Sequence, residues 1–301
     1  MKSKIFNTFL LLLIFIYLFY DFDVEQINIS KFSFMGIILS FIVIFLSQIV
    51  LSVRWMKMSL LSFTVSFETI IVSSALNMIL PAKLGEVSKA LYLKKFYNYS
   101  YNKTISIIFV ERFLDVVIIF LLLCLWAYSY VYDEMAKNSI LILSLIIFFT
   151  IIFFNTKYAI VLIKKIPFRF LRIYIQKIYK SVQNLFQKPF LLIFYSIALW
   201  IFYFASTAVF FLYAVDFSLS TAMILELFIF STIALSIPLA PAGIGTYEAA
   251  VVLFLTNHGV NAEDALIAAT IFHTLLFIVD FILLYIFLVV KKISLKDLIE
   301  K

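Results

Sequence analysis

The sequence is poor in the residues that staple or punctuate a soluble fold. One cysteine, Cys124, occurs in 301 residues, so no disulfide can close within the chain and the redox compartment cannot be read. No Gly-x-x-x-x-Gly-Lys-Ser/Thr segment occurs, which removes a P-loop nucleotide site. Charged residues are only 14% of the chain. The connections between apolar runs are too short for a soluble domain of ordinary size, roughly 50 residues or more, so no appended soluble enzyme, metal site, cofactor or nucleic-acid partner is expected. Glycine and proline number five each, and three of each fall in two short stretches.

What the chain has instead is apolar surface. Hydrophobic residues make up 65% and the mean hydropathy is +1.12, whereas soluble domains run nearer half apolar. A bilayer crossing needs about 20 apolar residues in a helix. Full spans are predicted at about 5–21, 34–53, 105–128, 139–156, 190–214 and 264–290. The first follows a basic start but ends in bulky aromatics and "DFDVE" without a small-x-small cleavage site, so it is expected to be an uncleaved span. The chain is thus expected to be an all-α polytopic membrane protein forming a single transmembrane domain over 1–301.

Two apolar regions, about 66–95 and 220–258, are interrupted. The first reads "ILPAKLGEVSKAL" and the second "IPLAPAGIGTYEAA". Each carries Pro-Ala-x-x-Gly followed by a carboxylate: Pro81, Ala82, Gly85 and Glu86, then Pro241, Ala242, Gly245 and Glu248, with Gly243 inside the second. Proline removes a backbone donor and glycine opens unusual dihedrals. Together they let a chain turn back within the membrane, where irregular backbone survives only against protein or a wet cavity.

Positive charge tends to stay cytoplasmic. With the N-terminus inside and each interrupted region entering and leaving on one face, Lys2, Lys4, Arg54, Lys57, Lys89, Lys94, Lys95 and Lys103 sort to the cytoplasm. The eight bases of 157–188 and Lys291, Lys292, Lys296 and Lys301 join them. Lys31, Lys137, Asp21, Asp23, Glu25, Asp133, Glu134, Asp216, Glu263 and Asp264 sort outside. Both termini are therefore expected to be cytoplasmic. The first hairpin would dip in from the cytoplasm and the second from the opposite face, giving about six full helices plus two oppositely oriented re-entrant hairpins. Paired broken helices of this kind point to a midplane binding site. The 157–188 stretch interleaves basic and apolar residues, which suits either an amphipathic segment on an anionic membrane surface or an ordinary basic loop.

Ionisable residues inside apolar segments are expensive, about 2.5–3.5 kcal/mol each at a helix centre on insertion scales. Glu68, Lys83, Glu86, Glu111, Arg112, Asp115, Glu226, Glu248 and Asp280 are of this kind. In "FVERFLDVV", Glu111 and Asp115 share a helix face, and Arg112 can pair with either or hold a lipid phosphate. Lys83 is either a phosphate ligand or a side chain reaching for the surface. Glu248 suits the first turn of a helix. His273 and Asp280, seven apart, face one side of the last span and form either a proton relay or a plain hydrogen-bond network. Glu68 and Glu226 read as helix-end acids. The expected headgroup or translocation residues are Lys83, Glu86, Glu111, Arg112, Asp115, Glu248 and Asp280. The expected hairpin breaks are Pro81, Gly85, Pro241, Gly243 and Gly245.

With "PAKLGEVSKALYLKK", "ERFLD" and "PLAPAGIGTYEAA" in this order, the chain resembles the flippase-like transmembrane family of lysylphosphatidylglycerol synthases. Such proteins often carry arginine where Lys83 and Lys89 stand here. The resemblance implies translocation of an anionic phospholipid, an aminoacyl-phospholipid or a polyprenyl-phosphate-linked lipid across the cytoplasmic membrane, passive or ion-coupled. Its two-part members carry the transferase in a separate soluble domain. None is expected after "KKISLKDLIEK", so no enzymatic activity is expected. Two other classes remain open: a lipid-dependent transferase using Asp21 and Asp23, and an accessory subunit of a cell-envelope enzyme. The expected partners are membrane lipids.

Overall fold

The computed structural model describes residues 31–80, 84–129, 134–155, 157–187, 189–236, 241–294 and Asp297. The first expected span, the Asp21–Asp23 pair, and Pro81, Ala82 and Lys83 lie outside the described residues. The described chain is helical: α1 (Phe34–Ser59), α2 (Phe63–Ile79), α3 (Gly85–Tyr97), α4 (Tyr101–Ser129), α5 (Glu134–Asn155), α6 (Lys157–Lys164), α7 (Arg169–Leu185), α8 (Pro189–Val209), α9 (Thr221–Ser236), α10 (Thr246–Asn257) and α11 (Ala262–Lys291). Helix dominates because lipid offers no partner for a free N–H or C=O, and a helix satisfies both within itself. A π-turn, Phe210–Ala214, extends α8. An isolated antiparallel bridge joins Phe32 and Val215.

Among the described residues, three helices are long and apolar enough to cross a membrane: Phe34–Ser59, Pro189–Ala214 and Ala262–Lys291. At 1.5 Å per residue their 26, 26 and 30 residues reach about 39–45 Å, beyond the ~30 Å hydrocarbon core. Phe63–Ile79, Ile140–Phe154 and Thr221–Ser236 are shorter apolar helices.

The chain divides into two compact units. The first comprises Met1–Ile49, Ile70–Ser88 and Ile201–Lys301. Its described core is aromatic and aliphatic around α11, where Phe272 meets Phe210 and Phe211 from the π-turn and Tyr247 from α10. At one end, Lys31 pairs with Asp264 at the start of α11, and Asp216 N–H donates to the Lys31 carbonyl. Charge sorting expects these three residues on one side of the membrane, and they share one end of this unit.

The second unit comprises Val50–Thr69 and Lys89–Trp200. Here α4, α5 and α7 pack together. Phe154 of α5 stacks on Tyr179 of α7, and the Tyr179 hydroxyl and Gln183 amide both donate to the Phe154 carbonyl. Ser106 of α4 donates to the Ile178 carbonyl. The boundary between units falls within α1, α2, α3 and α8.

The two interrupted regions form two helix pairs of similar size. α2 and α3 have 17 and 13 residues, and α9 and α10 have 16 and 12. All four are shorter than the roughly 20 residues of an ordinary bilayer span. The first pair closes tightly after its break. Ser73 donates to the Gly85 carbonyl at 2.9 Å, and a Cβ on Gly85 would lie 2.5 Å from both the Ser73 oxygen and the Asn77 nitrogen. The second break holds three left-handed residues in four: Ala242 (φ 54°), Gly243 (φ 81°) and Gly245 (φ 83°). Thr246 Oγ1 then donates to the Gly243 carbonyl at 2.8 Å. The glycines adopt these angles without steric cost, whereas Ala242 does not.

Gly85→Ala is expected to destabilise the chain by about 1–3 kcal/mol, because the added methyl meets backbone that cannot move aside. Thermal unfolding followed by size-exclusion chromatography in detergent checks this. A melting temperature equal to that of the wild type would mean that α2 and α3 separate freely.

Candidate functional site

The second unit contains a charge cluster. Arg54 lies near the C-terminal end of α1 and is 1% exposed, though charge sorting counts it among the loop bases. Its Nη1 donates to Asp115 Oδ1 at 2.7 Å and its Nη2 to Glu111 Oε1 at 3.2 Å. The other Glu111 oxygen accepts from Lys89 Nζ at 2.8 Å. Glu111 is wholly buried and Lys89 nearly so. The Lys89 ammonium also sits 4.6 Å from the Trp55 ring centroid, where the ring's quadrupole favours a cation. Trp200 Nε1 donates to Asp115 Oδ1 at 3.1 Å. Asp115 Oδ2 pairs with Arg112 Nη2 at 3.2 Å.

α4 supplies Glu111, Arg112 and Asp115 from one and a half turns. α1 brings Arg54, and α3 brings Lys89. Glu111 thereby joins Arg54 to Lys89, and Asp115 joins Arg54 to Arg112, in helices that otherwise bury apolar side chains. A single carboxylate holding two cations is the economical way to place them there, since each alone would be a buried unpaired charge. Arg112 differs from the other two. Its side chain is 42% exposed, against 1% for Arg54 and 3% for Lys89. It is the cation of the cluster that a phosphate can reach without breaking the buried core, and its planar fork suits two phosphate oxygens.

The sequence pointed to Glu111, Arg112 and Asp115 and missed Arg54 and Lys89 as members. Lys89 was signalled only by the resemblance, which places a basic residue there. Arg54 follows a long apolar run and precedes a tryptophan, which reads as well as a loop boundary.

The first unit holds a second group, around the second break. Gly245 N–H donates to Glu248 Oε2 at 2.7 Å, so Glu248 caps the start of α10 as its first-turn position suggests. Its Oε1 meets His273 Nδ1 at 2.6 Å, and His273 Nε2 lies 3.2 Å from the Ala242 carbonyl. The ring faces two acceptors. A neutral imidazole donates to one of them and a doubly protonated one to both. The Tyr247 ring packs 4.6 Å from the imidazole. His273 thereby ties α11 to the left-handed residue of the break.

Asp280, two turns along α11, has different partners. Gln48 Nε2 of α1 donates to its Oδ1 at 2.8 Å, and Ser74 of α2 donates to Gln48 Oε1 at 3.5 Å. His273 and Asp280 share a helix face without forming one relay. Glu86 is the second residue of α3, in its first turn. Glu68 is buried rather than a helix-end acid. It accepts from Tyr92 at 2.8 Å and from Tyr97. Among the described residues no group of three or more His, Cys, Asp or Glu could hold a metal ion.

The family model described as Lysylphosphatidylglycerol synthase TM region matches residues 4–283. No curated protein and no solved structure matches the chain.

Glu111→Gln is expected to cost about 3–5 kcal/mol, because it leaves Arg54 and Lys89 buried without their shared carboxylate. Arg112→Gln is expected to shift the melting temperature little, since exposed ion pairs contribute about 0–1 kcal/mol. Equal shifts for the two variants would show that Glu111 does not hold the cluster together.

Proposed function

Because the chain belongs to the lysylphosphatidylglycerol synthase transmembrane-region family, a membrane family related to lipids, we propose that it translocates a lipid with a phosphate-bearing headgroup. The classes that fit are an anionic phospholipid, an aminoacyl-phospholipid and a polyprenyl-phosphate-linked lipid. All share the phosphate. The membrane is the cytoplasmic one, with both termini in the cytoplasm and the two broken helix pairs re-entrant from opposite faces. Transport is passive or ion-coupled, and a cell-envelope enzyme is the natural source or consumer of the lipid.

The observation that carries this reading is the cluster on α4. Its Arg112 side chain is 42% exposed, whereas those of Arg54 and Lys89 are buried. Charge-assisted hydrogen bonds from Arg112 to a headgroup phosphate would hold it while the acyl tails stay in the bilayer. The buried Arg54 and Lys89, held by Glu111 and Asp115, fix the position of α4 without taking part in the contact.

The test is a proteoliposome assay with fluorescent headgroup-labelled phosphatidylglycerol, phosphatidylcholine and a polyprenyl-phosphate probe. Wild type is expected to move the anionic probes faster than the zwitterionic one. Arg112→Gln is expected to slow them about 10- to 100-fold, the value of one charge-assisted hydrogen bond of about 1.5–3 kcal/mol, with insertion and melting temperature near wild type. A well-folded wild type that moves none of the probes would overturn the translocator reading in favour of an accessory or transferase role.

A further inference from the structure

The elbow between α6 and α7 is not used by the charge cluster, yet it has two faces of opposite character. The inner face packs within the second unit: Ala159, Ile163 and Tyr179 are buried, with Phe154, Ile166 and Ile175 against them. The outer face carries large apolar side chains in the open. Phe170 is 83% exposed and Phe168 71%, with Leu162, Leu171 and Ile173 beside them. Interleaved with these are the exposed cations Lys164, Lys165, Arg169, Lys177 and Lys180. None of the five side-chain charges has a hydrogen bond or ion pair with another described residue, although the Lys164 carbonyl accepts from Arg172 Nη1 at 3.3 Å.

The reason is visible in the sequence. From Met135 to Val215 there is no aspartate or glutamate, while nine lysines and arginines occur. The charge on this face therefore has no complement from its own stretch of chain. Its complement must be anionic and must also accept exposed phenylalanines. An anionic lipid surface meets both demands, because phosphates take the cations and the acyl boundary takes the rings. A nucleic acid would meet the charge but leave Phe168 and Phe170 on flanking water unless bases stacked on them.

We propose that the α6–α7 elbow docks into an anionic leaflet, with Phe168, Phe170 and Leu171 entering the acyl boundary and Lys164, Lys165, Arg169 and Lys177 engaging lipid phosphates. This surface is distinct from the cluster at Arg112 and does not depend on lipid translocation. Its anchor on the rest of the unit is firm, through the bonds from Ser106 of α4 to Ile178 and from Tyr179 and Gln183 to Phe154 of α5. A docked α7 thus holds α4, the helix that carries Glu111, Arg112 and Asp115, in register with the leaflet surface.

The test uses the full chain with Cys124→Ser and Phe170→Cys, labelled with bimane and placed in nanodiscs of phosphatidylcholine with or without phosphatidylglycerol. Bromine on the acyl chains of one lipid at a time reports contact by quenching. Quenching is expected to be at least several-fold stronger from brominated phosphatidylglycerol than from brominated phosphatidylcholine. It is expected to weaken as salt rises and to fall toward the phosphatidylcholine level in a Lys164→Gln, Lys165→Gln, Arg169→Gln and Lys177→Gln variant. Equal quenching by the two lipids, or none by either, overturns the proposal. So does phosphatidylglycerol quenching that survives the four substitutions, or a dye response to an RNA oligonucleotide in place of the lipid. The four side chains are exposed and bond to no other described residue, so the variant retains its native state, which its melting temperature verifies.

Discussion

Glu111 is the residue on which the polar interior of the second unit depends. One carboxylate, wholly buried, holds two buried cations that come from different helices. Apolar surroundings make this arrangement strict. A charge there is tolerated only when paired and hydrogen-bonded, so Arg54 and Lys89 cannot exchange partners with water as surface side chains do. Asp115 completes the set by holding Arg54 on one oxygen and Arg112 on the other. Trp55 beneath Lys89 and Trp200 against Asp115 close the sides with ring faces and an N–H. Arg54 and Lys89 balance Glu111 and Asp115 in the buried part of the cluster, and Arg112 stands at its more exposed edge.

The first unit solves a different problem with the same chemistry. Its second break places Ala242 in a left-handed conformation that costs a non-glycine residue free energy, and its carbonyl faces inward. His273 meets that carbonyl and Glu248 together, so an α11 side chain fixes the geometry of a turn that the backbone alone would not keep. Asp280, lower on the same helix, reaches α1 through Gln48. The last span is therefore more than an apolar membrane anchor. It carries a polar stripe that secures the irregular part of the unit.

Much of the architecture was legible before the fold. The apolar runs at 34–53, 190–214 and 264–290 mark the three long apolar helices, since length and hydropathy are properties of contiguous residues. The two Pro-Ala-x-x-Gly stretches mark the two helix breaks, because proline and glycine act on their own backbone. Glu248 was legible as a first-turn acid for the same local reason. The pairings were less so. Glu68 reads as a helix-end acid until Tyr92 and Tyr97, 24 and 29 residues away, are seen to close over it. His273 and Asp280 share a face by spacing, which allows a relay or a plain hydrogen-bond network, and the fold gives them separate partners among the described residues.

The sequence by itself determined that this is a helical membrane chain with two interrupted helix pairs, because periodicity, hydropathy and backbone restriction operate over a few residues. Only tertiary structure decided which cations share Glu111. Arg54 and Lys89 stand 57 and 22 residues from it, and nothing in the local pattern ranks them above the other lysines and arginines. That choice is made by packing. The helices first bury their apolar faces, and the charges caught inside must then find one another or cost more than the fold can offset.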